Sequence, residues 1–292
     1  MQLTVDRILF GDNQFFAVNH ISEEKSRAQA IKFRDSRSIM RVLDDAIDSG
    51  ITTFMCTTHE KISDICEIIR SNPQRYKEFK IFPCMPYAHK YANAVTELGI
   101  LGMLKEYLPG NIFSIAAKGG VAFARKDFSA MMELLVDAEM KMFKGIPTPV
   151  IFLQNVVTDL LLGLGMNEFY IEFNRYVKTK HNAEAGFITM NLPKLLDVLE
   201  HVGIDNPIIC TSINKVGFRM SGGRKHYEKV LAERKVRCIA MQVLAAGAIS
   251  PAEAFEYVCA LKGVRSILFG ASSKSHIAES KRLIEKYSFQ PI

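Results

Sequence analysis

The stretch Gly186–Asn214, GFITMNLPKLLDVLEHVGIDNPIICTSIN, reads as a strand, a helix and a second strand. GFITMN and PIICTSIN are nearly continuous apolar runs, the pattern of strands buried on both faces, where helices cover one side and packed side chains the other. Between them Leu192, Leu195, Leu196 and Leu199 recur at helical spacing, with Asn191 able to cap the start and Gly203 to stop the end.

The same unit repeats outward in both directions. Apolar runs followed by polar residues occur at RILFG (7–11), ITTFMC (51–56), KIFPCMPY (80–87), IFSIAAKGG (112–120), PVIFLQN (149–155), VRCIAMQ (236–242) and VRSILFG (264–270). Helical segments intervene. In SIMRVLDDAID, Ile39, Val42, Leu43, Ala46 and Ile47 share a face after Asp35 and Ser36, either of which can cap. In SPAEAFEYVCALKG, Ser250 caps, Pro251 suits the first helical position and Glu253 completes a capping box.

Alternation over the whole length, with no Pro/Gly/Ser-rich linker, predicts one (β/α)8 TIM barrel domain over residues 1–292. Nine strand candidates compete for eight places, so an extra β-α unit is expected, most readily from the stretch 80–118. An open doubly wound sheet is the structural alternative, although no Gly-x-Gly-x-x-Gly follows the first strand. The charged segment 21–34, ISEEKSRAQAIKFR, lacks a clean apolar face and is expected to be a partly helical, mobile lid.

Composition narrows the partners. Of 292 residues 48% are apolar and 23% charged, with a formal net charge of +6 and no basic cluster interleaved with aromatics, which argues against nucleic acid. Six cysteines occur without a Cys-x-x-Cys pair, four of them inside apolar runs, as in a reducing compartment. The N-terminus carries no signal-like pattern and no apolar segment reaches the ~20 residues of a membrane span. A cytoplasmic protein with a small-molecule substrate and no membrane partner is expected.

In a barrel of this kind the chemistry sits at the C-terminal strand ends. The polar residues there are Asp12 and Asn13; His59 and Glu60; Tyr87; Lys118 before Gly119 and Gly120; Gln154 and Asn155; then Asn191, Asn214 and Gln242. A lysine desolvated at a strand end can act as acid, base or Schiff-base nucleophile, or form an ion pair with Asp12. His20, His59 and His89 do not have the spacing of a metal cage, and no metal is assigned.

The segments GFITMNLPKLLDVLEHVGIDNPIICTSINKVGF, IAMQVLAAGAISPAEAFEY and VRSILFGASSKSHIAESKRL resemble the later strands of the aldo-keto reductases, over about residues 186–283. The resemblance implies a barrel using NADP or NAD to reduce a small carbonyl substrate. It implies that Asn191, Asn214, Gln242, Gly270, Ser272, Ser273, Lys274 and Glu279 meet the cofactor. The turn and helix start at Gly270–Lys274 suit a phosphate, since a helix N-terminus offers unpaired amides, a positive dipole end and, here, a lysine charge.

The catalytic residues of that family match less well. GITTFMCTTHE has neither the expected Asp nor Tyr, leaving His59 or Tyr87 as proton donor. Lys118 corresponds to the family lysine, and Gln154 stands where a His is usual. Asp12, Lys118 and His59 are therefore the expected catalytic group, with Asn13, Tyr87, Gln154 and Asn155 on the substrate. Two alternatives remain: a lyase or isomerase using Lys118 on an anionic substrate, and a ligand-binding relative without chemistry.

Overall fold

The computed structural model describes residues 5–16, 23–87 and 126–288. Eight parallel strands form a closed ring in chain order: β1 (Ile8–Gly11), β2 (Thr53–Thr57), β3 (Lys80–Met85), β4 (Val150–Leu153), β5 (Glu184–Thr189), β6 (Ile208–Ser212), β7 (Arg237–Met241) and β8 (Val264–Phe269). The register Phe10↔Phe54 joins β1 to β2, and Ile8↔Ile267 closes β1 on β8. Closure rules out the open sheet.

It also resolves the surplus strand. β3 pairs directly with β4, Cys84 against Phe152 and Met85 against Leu153, so the ring is complete without the run at 112–120. The fourth barrel strand is Val150–Leu153, within the fifth of the nine candidate runs. Residues 112–120, Lys118 among them, lie outside the described residues.

The barrel interior is a core of its own. Leu9, Met55, Phe82, Cys84, Phe152, Ile188, Cys210 and Ile239 pack there, while the opposite strand faces meet the helices in a second cluster. Gly186 belongs to the interior by period-two alternation with Ile188, and a Cβ at that position would run into the Phe152 ring. Small against large lets a phenylalanine fill the taper. At the N-terminal end the interior closes with charge: Lys80 Nζ lies 3.1 Å from Asp6, which also accepts from Thr53 Oγ1, and Arg237 lies 2.6 Å from Glu184. Such pairs at the lower end concern stability.

Ten helices are described: α1 (Glu23–Lys32), α2 (Ser36–Asp48), α3 (Glu60–Ser71), α4 (Lys126–Met140), α5 (Asn155–Leu164), α6 (Glu168–His181), α7 (Leu192–His201), α8 (Arg224–Glu233), α9 (Pro251–Cys259) and α10 (Lys274–Ser288). Asp35 caps α2 through the Ser38 amide, and Asn191 caps α7. Ser250 caps α9, but the reciprocal half of the expected box is diverted, because Glu253 takes Lys215 Nζ at 2.6 Å. Among the described residues no helix is long and apolar enough to cross a membrane.

Candidate active site

The C-terminal strand ends surround a cleft of about 600 Å³. Its floor is apolar, with Met55, Ile188, Met241 and Leu268. Asp12, Asn13, Tyr87, Gln154 and Asn155 line it, as do Gln242 and Gly270. The structure thus brings seven of the fifteen expected site residues to one cavity.

Asp12 follows β1 and is buried. Its Oδ2 accepts from the Thr57 amide at 2.7 Å and from Thr57 Oγ1 at 2.8 Å. Burial nevertheless raises its pKa above the ordinary 3.8, against the lowering effect of both Thr57 bonds. Burial first, and the nearby Asp12 charge second, push the thiols of Cys56 and Cys84 well up, so both stay protonated and are poor nucleophiles.

Tyr87 lies just past β3, where its backbone N–H donates to Glu139 Oε1 at 3.0 Å and Oε2 at 3.3 Å. Burial and then the Asp12 charge raise its phenol above 10, so it holds its proton at neutral pH. Glu139 comes from α4, is only 2% exposed, and also accepts from Thr58 Oγ1 at 2.7 Å. One carboxylate therefore ties the tips of β2 and β3 together.

His59 is beside the cleft. Its ring stacks on Phe16, a lining residue, at 4.2 Å, and lies 6.3 Å from Tyr87. Nδ1 accepts from the Lys61 amide at 3.2 Å and caps α3. With that lone pair engaged, the neutral ring carries its proton on Nε2.

The cofactor candidates divide. Asn191 accepts from the Lys194 amide, and the buried Asn214 holds the loop after β6, accepting from the Phe218 amide at 2.7 Å and donating to the Phe218 carbonyl at 2.9 Å. That loop carries Phe218 and Arg219 to the cleft, Arg219 in left-handed backbone at φ 53°. Gln242 accepts from Ser212 Oγ at 2.6 Å. Gln242, Ala245 and Ala246 all have positive φ, an accumulation of strain at the cleft wall that non-glycine residues seldom carry.

Gly270 lies against Gln14, and a Cβ there would overlap the Gln14 amide. Ser272, Ser273 and Lys274 follow, outside the cleft lining, with Ser273 Oγ accepting from the His276 amide at 3.4 Å at the start of α10. Glu279 is exposed on α10. Lys118 lies outside the described residues. Among the described residues no three His, Cys, Asp or Glu side chains gather as a metal cage.

Glu139 and Gln29 were not singled out from the sequence, nor was the pairing of Thr57 with Asp12. Glu139 did leave a signal: Met132, Leu135 and Val136 mark the buried stripe of α4, and position 139 continues it with a charge.

No protein-family model matches the chain, and no curated protein sequence does. Solved structures do. A protein assigned to the aldo-keto reductases from Pseudomonas aeruginosa aligns at TM-score 0.62 and 15% identity over 98% of this chain and 92% of its own. An aldo-keto reductase from Bacillus halodurans, in its holo form, aligns at 0.58 and 11% over 97% and 89%. A thermostable aldo-keto reductase in complex with the inhibitor epalrestat aligns at 0.56 and 12% over 96% and 90%. Identities this low establish architecture alone. The chain has the (β/α)8 barrel fold seen in the aldo-keto reductases.

Proposed function

We propose that the protein is an NAD(P)H-dependent oxidoreductase acting on a small carbonyl compound, working as one barrel domain. The observation that carries this reading is the grouping of Asp12, Thr57 and Tyr87 over an apolar floor at the barrel mouth. The residues present suit a dinucleotide. Gly270 lets Gln14 pack against the β8 end at the cleft, and the capped start of α10 with Lys274 follows, where amides and charge favour a phosphate. When bound, the nicotinamide supplies or accepts hydride.

The chain's own residues supply the proton. Tyr87 lines the cleft with its phenol protonated at neutral pH, and delivers that proton to the carbonyl oxygen. Burial first and the Asp12 charge second keep the phenol protonated, and Thr57 fixes that carboxylate. Gln154, Asn155 and Asn13 orient the substrate. His59 supports Phe16 and caps α3, which makes Tyr87 the better donor. Lys118 is retained as the lysine that tunes the acid.

Titration with NADPH and NADH tests the reading, by cofactor fluorescence and by melting. Ligand at ~100 Kd stabilises by about 2.7 kcal/mol. Binding of either cofactor together with its oxidation by a carbonyl panel is expected. No binding of either, with borohydride trapping of substrate on Lys118, would replace the reductase by a lyase. Binding without turnover would leave a ligand-binding relative.

A further inference from the structure

Two buried side-chain oxygens have no hydrogen-bond partner among the described residues, Ser266 Oγ and Gln29 Oε1. Ser266 sits in the barrel wall. Gln29 lines the cleft.

Gln29 belongs to α1, a helix with little to hold it. None of its described side chains is buried, and Ile31 is 78% exposed, so apolar burial does not dock it. It touches the turn Asn13–Phe16 and is moored at its end by Lys32, whose Nζ donates to the Ser272 carbonyl at 2.5 Å. A thinly attached helix thus carries one polar oxygen out of water and into the cavity wall. A buried carbonyl without a donor forfeits its hydration and gains nothing in return, unless a ligand supplies the missing hydrogen.

We propose that Gln29 is a ligand-contacting residue, its side-chain carbonyl accepting an O–H or N–H of the dinucleotide, and that this bond fixes α1 as a strap across the cleft. The inference rests on the NAD(P)H reading. A cofactor ribose hydroxyl or carboxamide and a substrate hydroxyl share the required chemistry. The mooring at Ser272, beside Ser273 and Lys274, assigns the donor to the cofactor, since that turn is where its phosphate is proposed to lie.

Gln29→Met on the full chain removes the acceptor while keeping length and helix propensity. Three measurements apply: melting without ligand, NADPH and NADH titration by cofactor fluorescence, and hydrogen exchange over residues 23–32 with and without NADPH. The variant should melt no lower than wild type and bind NADPH about 2- to 10-fold more weakly, the worth of one neutral hydrogen bond. Exchange in α1 should slow on NADPH binding in wild type, and slow less in the variant.

Three results would overturn the inference while leaving the reductase reading intact. These are unchanged cofactor affinity, unchanged affinity with a raised KM for hydroxylated carbonyls such as glycolaldehyde, and a melting temperature that falls without ligand. Failure of wild type to bind either cofactor would remove both.

Discussion

Thr57 gives both its amide and its hydroxyl hydrogen to the same oxygen of Asp12, at 2.7 and 2.8 Å, across the pairing of β2 with β1. Even so, burial keeps the Asp12 pKa above 3.8. A carboxyl whose folded pKa is raised favours the folded state below its unfolded pKa, and that contribution is lost as pH rises through the folded value. The buried charge therefore costs stability near neutrality. Asp12→Asn, which keeps an oxygen for Thr57, should raise the melting temperature relative to wild type, with a gain that grows as pH climbs from 3.8 toward 7. A gain that is flat with pH would count against the buried carboxylate.

Tyr87 meets Glu139 through its backbone, so that link to the strand tip does not depend on the phenol. Tyr87→Phe is expected to fold with a melting temperature within about 2 °C of wild type and to lose about 100-fold or more in kcat, the usual share of a positioned proton donor. The wild-type reduction rate should hold through neutral pH and decline only above pH 10, because the phenol is pushed upward. Full activity in the variant would shift attention to His59 Nε2.

The barrel was legible in the sequence because its strands are buried on both faces and read as unbroken apolar runs, and because Asn191, Ser250 and Asp35 mark helix starts by local bonds. Position after a strand was enough to select Asp12, Tyr87 and Gln154. Their partners could not be found that way. Thr57 meets Asp12 only through strand register, and Glu139 reaches Tyr87 from 52 residues away. The strand count shows the same limit, since nine apolar runs compete for eight places and a continuous apolar stretch does not say whether it enters the ring. Gln29 looked like one more polar residue of a charged segment, because burial of one oxygen leaves no trace in the pattern.

Gly186 makes room for Phe152 in the barrel interior. Gly186→Ala forces the phenylalanine from its place, and overpacking of this kind costs about 1–3 kcal/mol. Urea unfolding should register that loss, and adding Phe152→Leu should recover part of it, since residues in contact couple. A double variant no better than the sum of the two singles would mean that Gly186 acts through its backbone.

Glu139 links Thr58 Oγ1 and the Tyr87 amide from a fully packed position on α4. Removing it takes a buried acceptor away from both donors, at about 1–3 kcal/mol each. Glu139→Ala should accordingly lose about 2–6 kcal/mol in urea unfolding. Glu139→Gln, which can still accept from one donor, should lose less. If Glu139 positions Tyr87 for proton transfer, the Gln variant at a temperature where it is fully folded should show a kcat lowered several-fold with KM nearly unchanged. A merely structural carboxylate would leave kcat of the folded Gln variant at the wild-type value, because the phenol would still stand where the carbonyl oxygen needs it.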